Sequence, residues 1–271
     1  MLKRFYLEIT NSCNLDCPFC TNEKGHDYLS LTEIDDYTSQ IKEYCDYIYL
    51  HILGEPLLHP DFTEILDILD KKELKLQLVT NGVLLDEHLD IFQHECLRKL
   101  SISLHSVNNL HIDDSYFRTI DKIIEMNHDC HIELRFYDQD SLDDELSAYL
   151  SSLKQRYGFL ITPKTNSYRL KDKVYLYFAD LFKWPDINDP YISCTGSCHG
   201  GIDMLAINSR SDITLCCLDP KAYNRLGNLK STSLKKIIES AEYQQIINDL
   251  KHHKLDNELC QKCSYRLRFK S

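Results

Sequence analysis

Apolar positions along this chain switch between two periods. Phe5-Tyr6-Leu7-Glu8-Ile9-Thr10 is rich in strand-forming residues and reads as a first β-strand. Ser30 with Glu33 spells a helix capping box, after which Ile34, Tyr37, Ile41 and Tyr44 share one helical face. Tyr47–Ile52 follows as a mostly apolar strand, suited to a parallel sheet covered on both faces. The same alternation then repeats. Asp61 with Glu64 offers a second capping box ahead of Phe62, Ile65, Leu66 and Leu69, and Leu76–Val79 reads as the third strand. Leu85, Leu89, Phe92 and Cys96 predict a helix, Leu100–Leu104 a fourth strand, Phe117, Ile120 and Ile124 a helix, and Ile132–Phe136 a fifth strand. Leu142, Leu146, Tyr149, Leu150 and Leu153 predict one more helix before Val174–Phe178, the sixth strand. Strand and helix taken in turn this often argue an α/β fold built on a parallel sheet with right-handed crossovers. Pattern alone leaves an open sheet and a barrel equally available.

Beyond the sixth strand the periodicity weakens around Trp184, the only tryptophan, which we read as the packed anchor of a bridging segment. Leu205–Asn208 and Asp212–Cys217 then form a predicted hairpin, followed by two short helical patterns on Leu234, Ile237, Ile238 and Ala241 and on Tyr243, Ile246, Ile247 and Leu250. A chain of 271 residues accommodates one sizeable domain with a small appendage. The boundaries expected are 1–190 and 191–271.

The formal charge of −11 sets the molecule as a whole against phosphate backbones, so extended nucleic-acid binding is not expected. No apolar run approaches the roughly 18 residues of a membrane span, and no secretory signal pattern opens the sequence. A cytoplasmic protein is the expectation. There the twelve cysteines call for a metal or redox explanation, because a reducing compartment disfavours disulfides. Cys45, Cys96 and Cys130 stand singly and read as buried small hydrophobes. The others cluster.

Cys13-Asn14-Leu15-Asp16-Cys17-Pro18-Phe19-Cys20 places three thiols in one short loop at the end of the first strand. Three thiolates can hold a soft metal centre while leaving one coordination position open, where a structural site would need a fourth ligand. A zinc knuckle is the plainer reading of such thiols. The Cys-x3-Cys-x2-Cys spacing after a first strand resembles the radical S-adenosylmethionine (radical SAM) superfamily. That resemblance implies a [4Fe-4S] cluster held by Cys13, Cys17 and Cys20, with S-adenosylmethionine (SAM) on the fourth iron and cleaved by the reduced cluster to a 5'-deoxyadenosyl radical. It also implies a partial (β/α)6 barrel with the active site at the strands' C-terminal ends.

Further residues match the family's pattern. Leu53-Gly54-Glu55-Pro56 resembles its Gly-Gly-Glu-Pro motif with Leu53 at the first glycine, and implies that Gly54 and Glu55 meet the SAM amino group. Phe19 takes the aromatic position against the adenine. Ser103, ending the fourth strand, matches the position that contacts the SAM ribose or carboxylate; Arg135 on the fifth strand is read as a bidentate partner of the carboxylate, and Asn81 as a further residue lining the same site. Each has a local reading as well: a strand-end hydroxyl, an ion pair of Arg135 with Glu133 or Glu8, and an Asn81 in the left-handed position of a turn. His51, His59 and His105 lie near strand ends and read as satisfied structural histidines, so no catalytic acid or base is assigned.

The second cysteine set comprises Cys194 and Cys198 before the hairpin, Cys216 and Cys217 at its end, and Cys260-Gln261-Lys262-Cys263 near the C-terminus. It resembles the twitch domain, the shortened relative of the SPASM domain, giving a small hairpin-plus-helix iron-sulfur domain after the barrel. The resemblance implies an auxiliary [4Fe-4S] cluster on Cys198, Cys216, Cys260 and Cys263, with Cys194 or Cys217 available to replace a neighbour. Structural zinc suits the same four thiols. Two [4Fe-4S] clusters and SAM are thus the implied cofactors. The activity implied is hydrogen abstraction from a small-molecule or peptide substrate, then oxidation or crosslinking with the auxiliary cluster accepting an electron, and a reducing partner such as flavodoxin or ferredoxin. The alternative is an iron-sulfur electron-transfer or redox-sensing protein without turnover, prompted by Leu53 and the spare thiols.

Overall fold

The computed structural model describes residues 2–21, 25–126, 129–137, 141–162 and 165–269. The chain divides into two compact units, one of Met1–Lys75 with Phe182–Ser271 and the other of Leu76–Leu181.

The first unit opens with β1 (Arg4–Leu7), α1 (Leu31–Lys42), β2 (Tyr47–Tyr49) and α2 (Phe62–Lys71). Phe5, Leu7 and Ile9 are fully buried, as are Ile34 and Ile41 of α1. The capping box at α1 is complete: Glu33 N–H donates to Ser30 Oγ at 3.3 Å and Ser30 N–H to Glu33 Oε2 at 2.8 Å. The second box does not form. Asp61 makes no side-chain cap, and its own N–H donates instead to His59 Nδ1, while Phe62, Ile65, Leu66 and Leu69 of α2 are buried as their spacing requires.

The second unit carries β3 (Lys75–Thr80, its first residue counted with the first unit), β4 (Leu97–Ser103), α3 (Asp114–Glu125), β5 (His131–Phe136), α4 (Asp144–Tyr157), β6 (Ser167–Lys171) and β7 (Val174–Phe178). Its strands run in the order β3-β4-β5-β7-β6, parallel except for the β6–β7 hairpin. In β3 and β5 every second residue is buried while the other face carries half-buried side chains, Glu133 and Arg135 among them. The helix predicted on Leu85, Leu89, Phe92 and Cys96 is a 3-10 stretch, Leu85–Gln93, broken at His88. Its buried residues Leu85 and Ile91 fall on either side of that break, so each short piece turns one apolar residue into the core. Strand β6 is an addition to the expected set; Tyr168 and Leu170 point inward between exposed Ser167, Arg169 and Lys171.

The chain then returns to the first unit with β8 (Met204–Ile207), β9 (Asp212–Thr214), β10 (Arg225–Asn228), α5 (Leu234–Ile238), α6 (Ala241–Lys251) and α7 (Glu258–Lys262). The strands of this unit follow the order β10-β9-β8-β1-β2. The β8–β9 hairpin is therefore joined to the opening strand: β8 pairs in parallel with β1 from Arg4↔Met204 to Leu7↔Ile207. Phe182 packs between Trp184 and Tyr265 at ring centroid distances of 5.4 and 5.2 Å, which fixes the bridging segment onto the C-terminal region. The fold is the α/β class expected, a partial barrel with a small C-terminal part. No helix among the described residues is long and apolar enough to cross a membrane.

Candidate metal centres

The loop after β1 is held at its base before it reaches the cysteines. Asn11 Nδ2 donates to Asp27 Oδ2 and Asp27 N–H donates back to Asn11 Oδ1, both at 2.8 Å; Ser12 Oγ donates to the Gly25 carbonyl at 3.0 Å. Cys13, Cys17 and Cys20 are half-buried, with the Leu15 amide 3.5 Å from Cys13 Sγ and the Cys20 amide donating to the Cys17 carbonyl. Phe19, between them, is also half-buried.

Gly54 and Glu55 abut this loop. The Glu55 amide donates to the Ser12 carbonyl at 2.7 Å. Gly54 has φ +72°, and a Cβ there would stand 2.4 Å from the Thr10 carbonyl oxygen and 2.9 Å from that of Ser12. Only glycine combines that backbone with so close an approach. Glu55 is buried, and its Oε1 accepts from the Leu57 amide at 3.2 Å, capping the turn Pro56–Leu58. The Leu53 amide donates to Glu8 Oε1 at 2.8 Å, while Glu8 Oε2 takes the amide and hydroxyl of Ser209, each at 2.9 Å. Burial pushes the Glu8 carboxyl up, with those donors pulling it back. Glu8 thus joins β1, the Gly-Glu-Pro turn and the turn after β8, and the carboxylate beside Arg135 is Glu133.

Asn81, Ser103 and Arg135 belong to the second unit. Asn81 Oδ1 accepts from the Val83 amide at 3.0 Å and its carbonyl from the Tyr116 hydroxyl at 2.9 Å; the left-handed residue of this turn is Gly82, not Asn81. Ser103 ends β4, buried, in register with Arg135 on β5. Arg135 Nε lies 3.8 Å from Glu133 Oε1, too far for a hydrogen bond, and is a buried donor with no partner among the described residues. Its carbonyl meets His105 Nδ1 at 3.1 Å. His105 is buried and stacked on Tyr137, and burial lowers its pKa to about 3, so the ring stays neutral. His59 is held between the Leu29 carbonyl at Nε2 and the Asp61 amide at Nδ1, which fixes its tautomer with the proton on Nε2. His51 meets the stacked rings of Tyr6 and Tyr49 edge-on.

The four thiols named near the C-terminus come together in the first unit. Cys216 is half-buried, its thiol pushed well up by desolvation first and then by Cys217, Cys198 and Cys260. Cys260 is pushed up to about 12, again by burial, with Cys198, Cys263 and Asp219 beside it. N–H groups face these sulfurs: the Gly200 amide donates to Cys198 Sγ at 3.3 Å and Asn224 Nδ2 to Cys260 Sγ at 3.5 Å, with the Tyr265 and Arg266 amides against Cys263. Half-buried thiols close enough to raise one another's pKa, and provided with N–H donors, are the donor set a four-thiolate centre requires. The residues fit the group. Cys194, by contrast, is exposed beside Tyr191 and Lys254, and the Cys217 thiol has the Tyr6 hydroxyl as its hydrogen-bonding neighbour. Asp219, Asn224 and Arg266 escaped the sequence reading, since nothing but their proximity to cysteines in the chain marks them.

Residues 7–134 match the model of the Radical SAM superfamily, and residues 198–264 match that of an iron-sulfur cluster-binding domain, SPASM. The chain thus carries a radical SAM domain followed by an iron-sulfur cluster-binding domain. Within it, the C-terminal part is of the SPASM or twitch type, and the two domains together imply [4Fe-4S] clusters and SAM. Over 117 residues the chain is 32% identical to the GTP 3',8-cyclase of Aquifex aeolicus, covering 40% of this chain and 36% of that one. It thus spans little more than a third of the length of the curated relatives it matches. Among solved structures it resembles BtrN in complex with AdoMet and 2-DOIA, with 14% identity and a TM-score of 0.57 over 97% of this chain and 93% of that one. It also resembles Streptococcus suis SuiB bound to the precursor peptide SuiA, with 15% identity and a TM-score of 0.61 over 100% and 74%. At such identity these likenesses concern the fold.

Proposed function

We propose that this radical SAM enzyme abstracts hydrogen from a small-molecule or peptide substrate and completes an oxidation or crosslink with the auxiliary cluster as electron acceptor. The observation that carries the reading is the pairing of a three-thiol loop with a separate, closed set of four thiols. Cys13, Cys17 and Cys20 would hold the first cluster and leave one iron for SAM; Cys198, Cys216, Cys260 and Cys263 would fill every position of the second. The reduced first cluster supplies the electron that cleaves SAM to the hydrogen-abstracting 5'-deoxyadenosyl radical. The chain's own residues do the placing. The Gly54 backbone and the Glu55 carboxylate would take the SAM amino group, Phe19 the adenine, and Arg135 the carboxylate, since its buried Nε is a donor in want of an acceptor; Ser103 and Asn81 would line the remainder. We assign residues 1–190 to SAM binding and 191–271 to the auxiliary cluster.

The match of residues 7–134 to the Radical SAM model supports the radical chemistry, and the likeness to BtrN in complex with AdoMet and 2-DOIA and to SuiB bound to the precursor peptide SuiA supports small-molecule and peptide substrates alike. A flavodoxin or ferredoxin would reduce the first cluster, and a cytoplasmic location is part of the same reading. Leu53 leaves the SAM turn intact, because its amide is bonded to Glu8 and its side chain packs on the cluster of Tyr6, Ile52 and Ala206. This supports turnover over an electron-transfer or sensing role, for which the spare thiols Cys194 and Cys217 are the other motive. Anaerobically reconstituted protein with dithionite and SAM should form 5'-deoxyadenosine, and the Cys13→Ala/Cys17→Ala/Cys20→Ala variant should form none. Equal yields from the two proteins, or none from either, would sink the reading.

A further inference from the structure

Beside the four C-terminal thiols lies a buried cation with no carboxylate of its own. Arg266, only 4% exposed, follows Cys263 by three residues. Its Nε donates to the Cys260 carbonyl at 3.0 Å, Nη1 to the Thr195 carbonyl at 3.1 Å and Nη2 to the Ser193 carbonyl at 3.0 Å. All three acceptors are neutral, and among the described residues no carboxylate lies within ion-pair distance of the guanidinium. Asp219, the buried carboxyl of the site, is engaged elsewhere: its oxygens accept from the Tyr223 and Asn224 amides at 2.9 and 2.7 Å. The backbone closes tightly around the guanidinium, since a Cβ on Gly196, at φ +145°, would stand 2.4 Å from Nη1.

A buried charge satisfied only by neutral partners is costly, and such sites are retained where an opposite charge arrives with a ligand. Four thiolates around an iron-sulfur core carry a net negative charge, and the Arg266 guanidinium is bonded to the backbone carbonyl of Cys260, one of the four. We propose that Arg266 is the counter-charge of the auxiliary cluster. It is a positioning residue with two effects. Through its carbonyl contacts it clamps the Ser193–Thr195 segment to α7, and through its fixed positive charge it raises the reduction potential of the cluster. Adding one electron makes the centre more negative by one, and a nearby cation favours that more anionic form. The proposal rests on the four-thiolate reading of this site and deepens it, because a higher potential makes a better electron acceptor.

The test uses the Cys13→Ala/Cys17→Ala/Cys20→Ala protein, in which only the auxiliary cluster remains, with Arg266 intact or replaced by Gln or Lys. Iron content and an EPR-monitored redox titration with dithionite are the readouts. Arg266→Gln should lower the equilibrium constant for one-electron reduction at least tenfold, about 59 mV for such a couple, and Arg266→Lys, which keeps the charge, should recover most of the loss. An unchanged midpoint in Arg266→Gln overturns the proposal, and so does a midpoint in Arg266→Lys as low as in Arg266→Gln. Should Arg266→Gln assemble no cluster, assembly in Arg266→Lys supports the role of the charge and failure there overturns it in favour of a packing brace alone. A parent protein that binds zinc or no iron overturns the four-thiolate cluster reading itself, a result that no comparison among the Arg266 variants would produce.

Discussion

At the scale of single residues, burial decides which titratable groups are available for chemistry. His105 has the position of a candidate base at the end of a strand, yet its ring is stacked on Tyr137, hydrogen-bonded to the Arg135 carbonyl and lowered by burial to a pKa of about 3. A neutral ring with that pKa neither gives nor takes a proton near neutrality. It does make stability depend on pH. Below the ordinary histidine pKa of 6.5 the unfolded chain binds a proton that the folded one refuses, so stability falls as pH drops from about 6.5 toward 3, at up to about 1.4 kcal/mol per pH unit. His105→Gln stays neutral and should flatten this part of the stability profile. Urea denaturation of the two proteins at pH 7 and pH 5 checks it, and parallel profiles would show that His105 is not the group responsible. Nothing in the sequence carried this information, because His105 reads identically whether its surroundings are wet or dry. The cysteine loop is the opposite case: the spacing of Cys13, Cys17 and Cys20 is itself the signal, and needs no tertiary knowledge to be seen.

Elements matter here chiefly through what they bring against the cysteine loop. Gly54 reaches it because the turn after β2 adopts a left-handed residue just where the chain passes the Thr10 and Ser12 carbonyls. Gly54→Ala would add a Cβ 2.4 Å from a backbone oxygen that has no rotamer to escape through, on top of roughly 1–2 kcal/mol for a non-glycine residue in that conformation. The turn must then move away from Ser12 and carry the Glu55 carboxylate with it. The expected outcome is a loss of SAM affinity of tenfold or more in reconstituted protein, read by equilibrium binding, with the iron content of the first site kept; wild-type affinity would mean that the turn does not hold SAM. Period was a sound guide to elements where one face is buried: α2 and β5 lie where their apolar spacing put them. It failed where the winding itself changed. Leu85, Leu89 and Phe92 keep a helical spacing, but the stretch winds as a 3-10 helix, and packing selected Leu85 and Ile91 instead. Strand β6 carried an alternating signal in Tyr168 and Leu170, obscured by the charged residues between them.

Across the whole molecule, the two cysteine sets are far apart in sequence yet belong to one compact unit, because β8 lays the returning chain alongside β1. The alternation of strands and helices announced the α/β class, but a parallel β8–β1 pairing between residues some two hundred positions apart leaves no local trace, so the attachment of the hairpin was not legible. The consequence for function is a division of labour that can be separated by mutation. On the proposed reading, the first loop would keep an open coordination position and start the reaction, while the closed four-thiol set would accept the electron. Cys260→Ala removes one half-buried thiol from beside Cys198 and Cys263 and leaves the β1 loop untouched. The variant should fall from about eight to about four irons per chain, as expected for one lost [4Fe-4S] cluster. In the presence of the substrate it should still form 5'-deoxyadenosine, within about a fewfold of wild type, since SAM cleavage draws its electron from the first cluster. The oxidised product should disappear, because the substrate radical then has no acceptor and is quenched back to substrate or diverted. Deuterium from labelled solvent appearing in recovered substrate would record that quenching directly. If product forms at the wild-type rate with four irons bound, the auxiliary centre holds the fold and accepts no electron, and the oxidation must end on another acceptor.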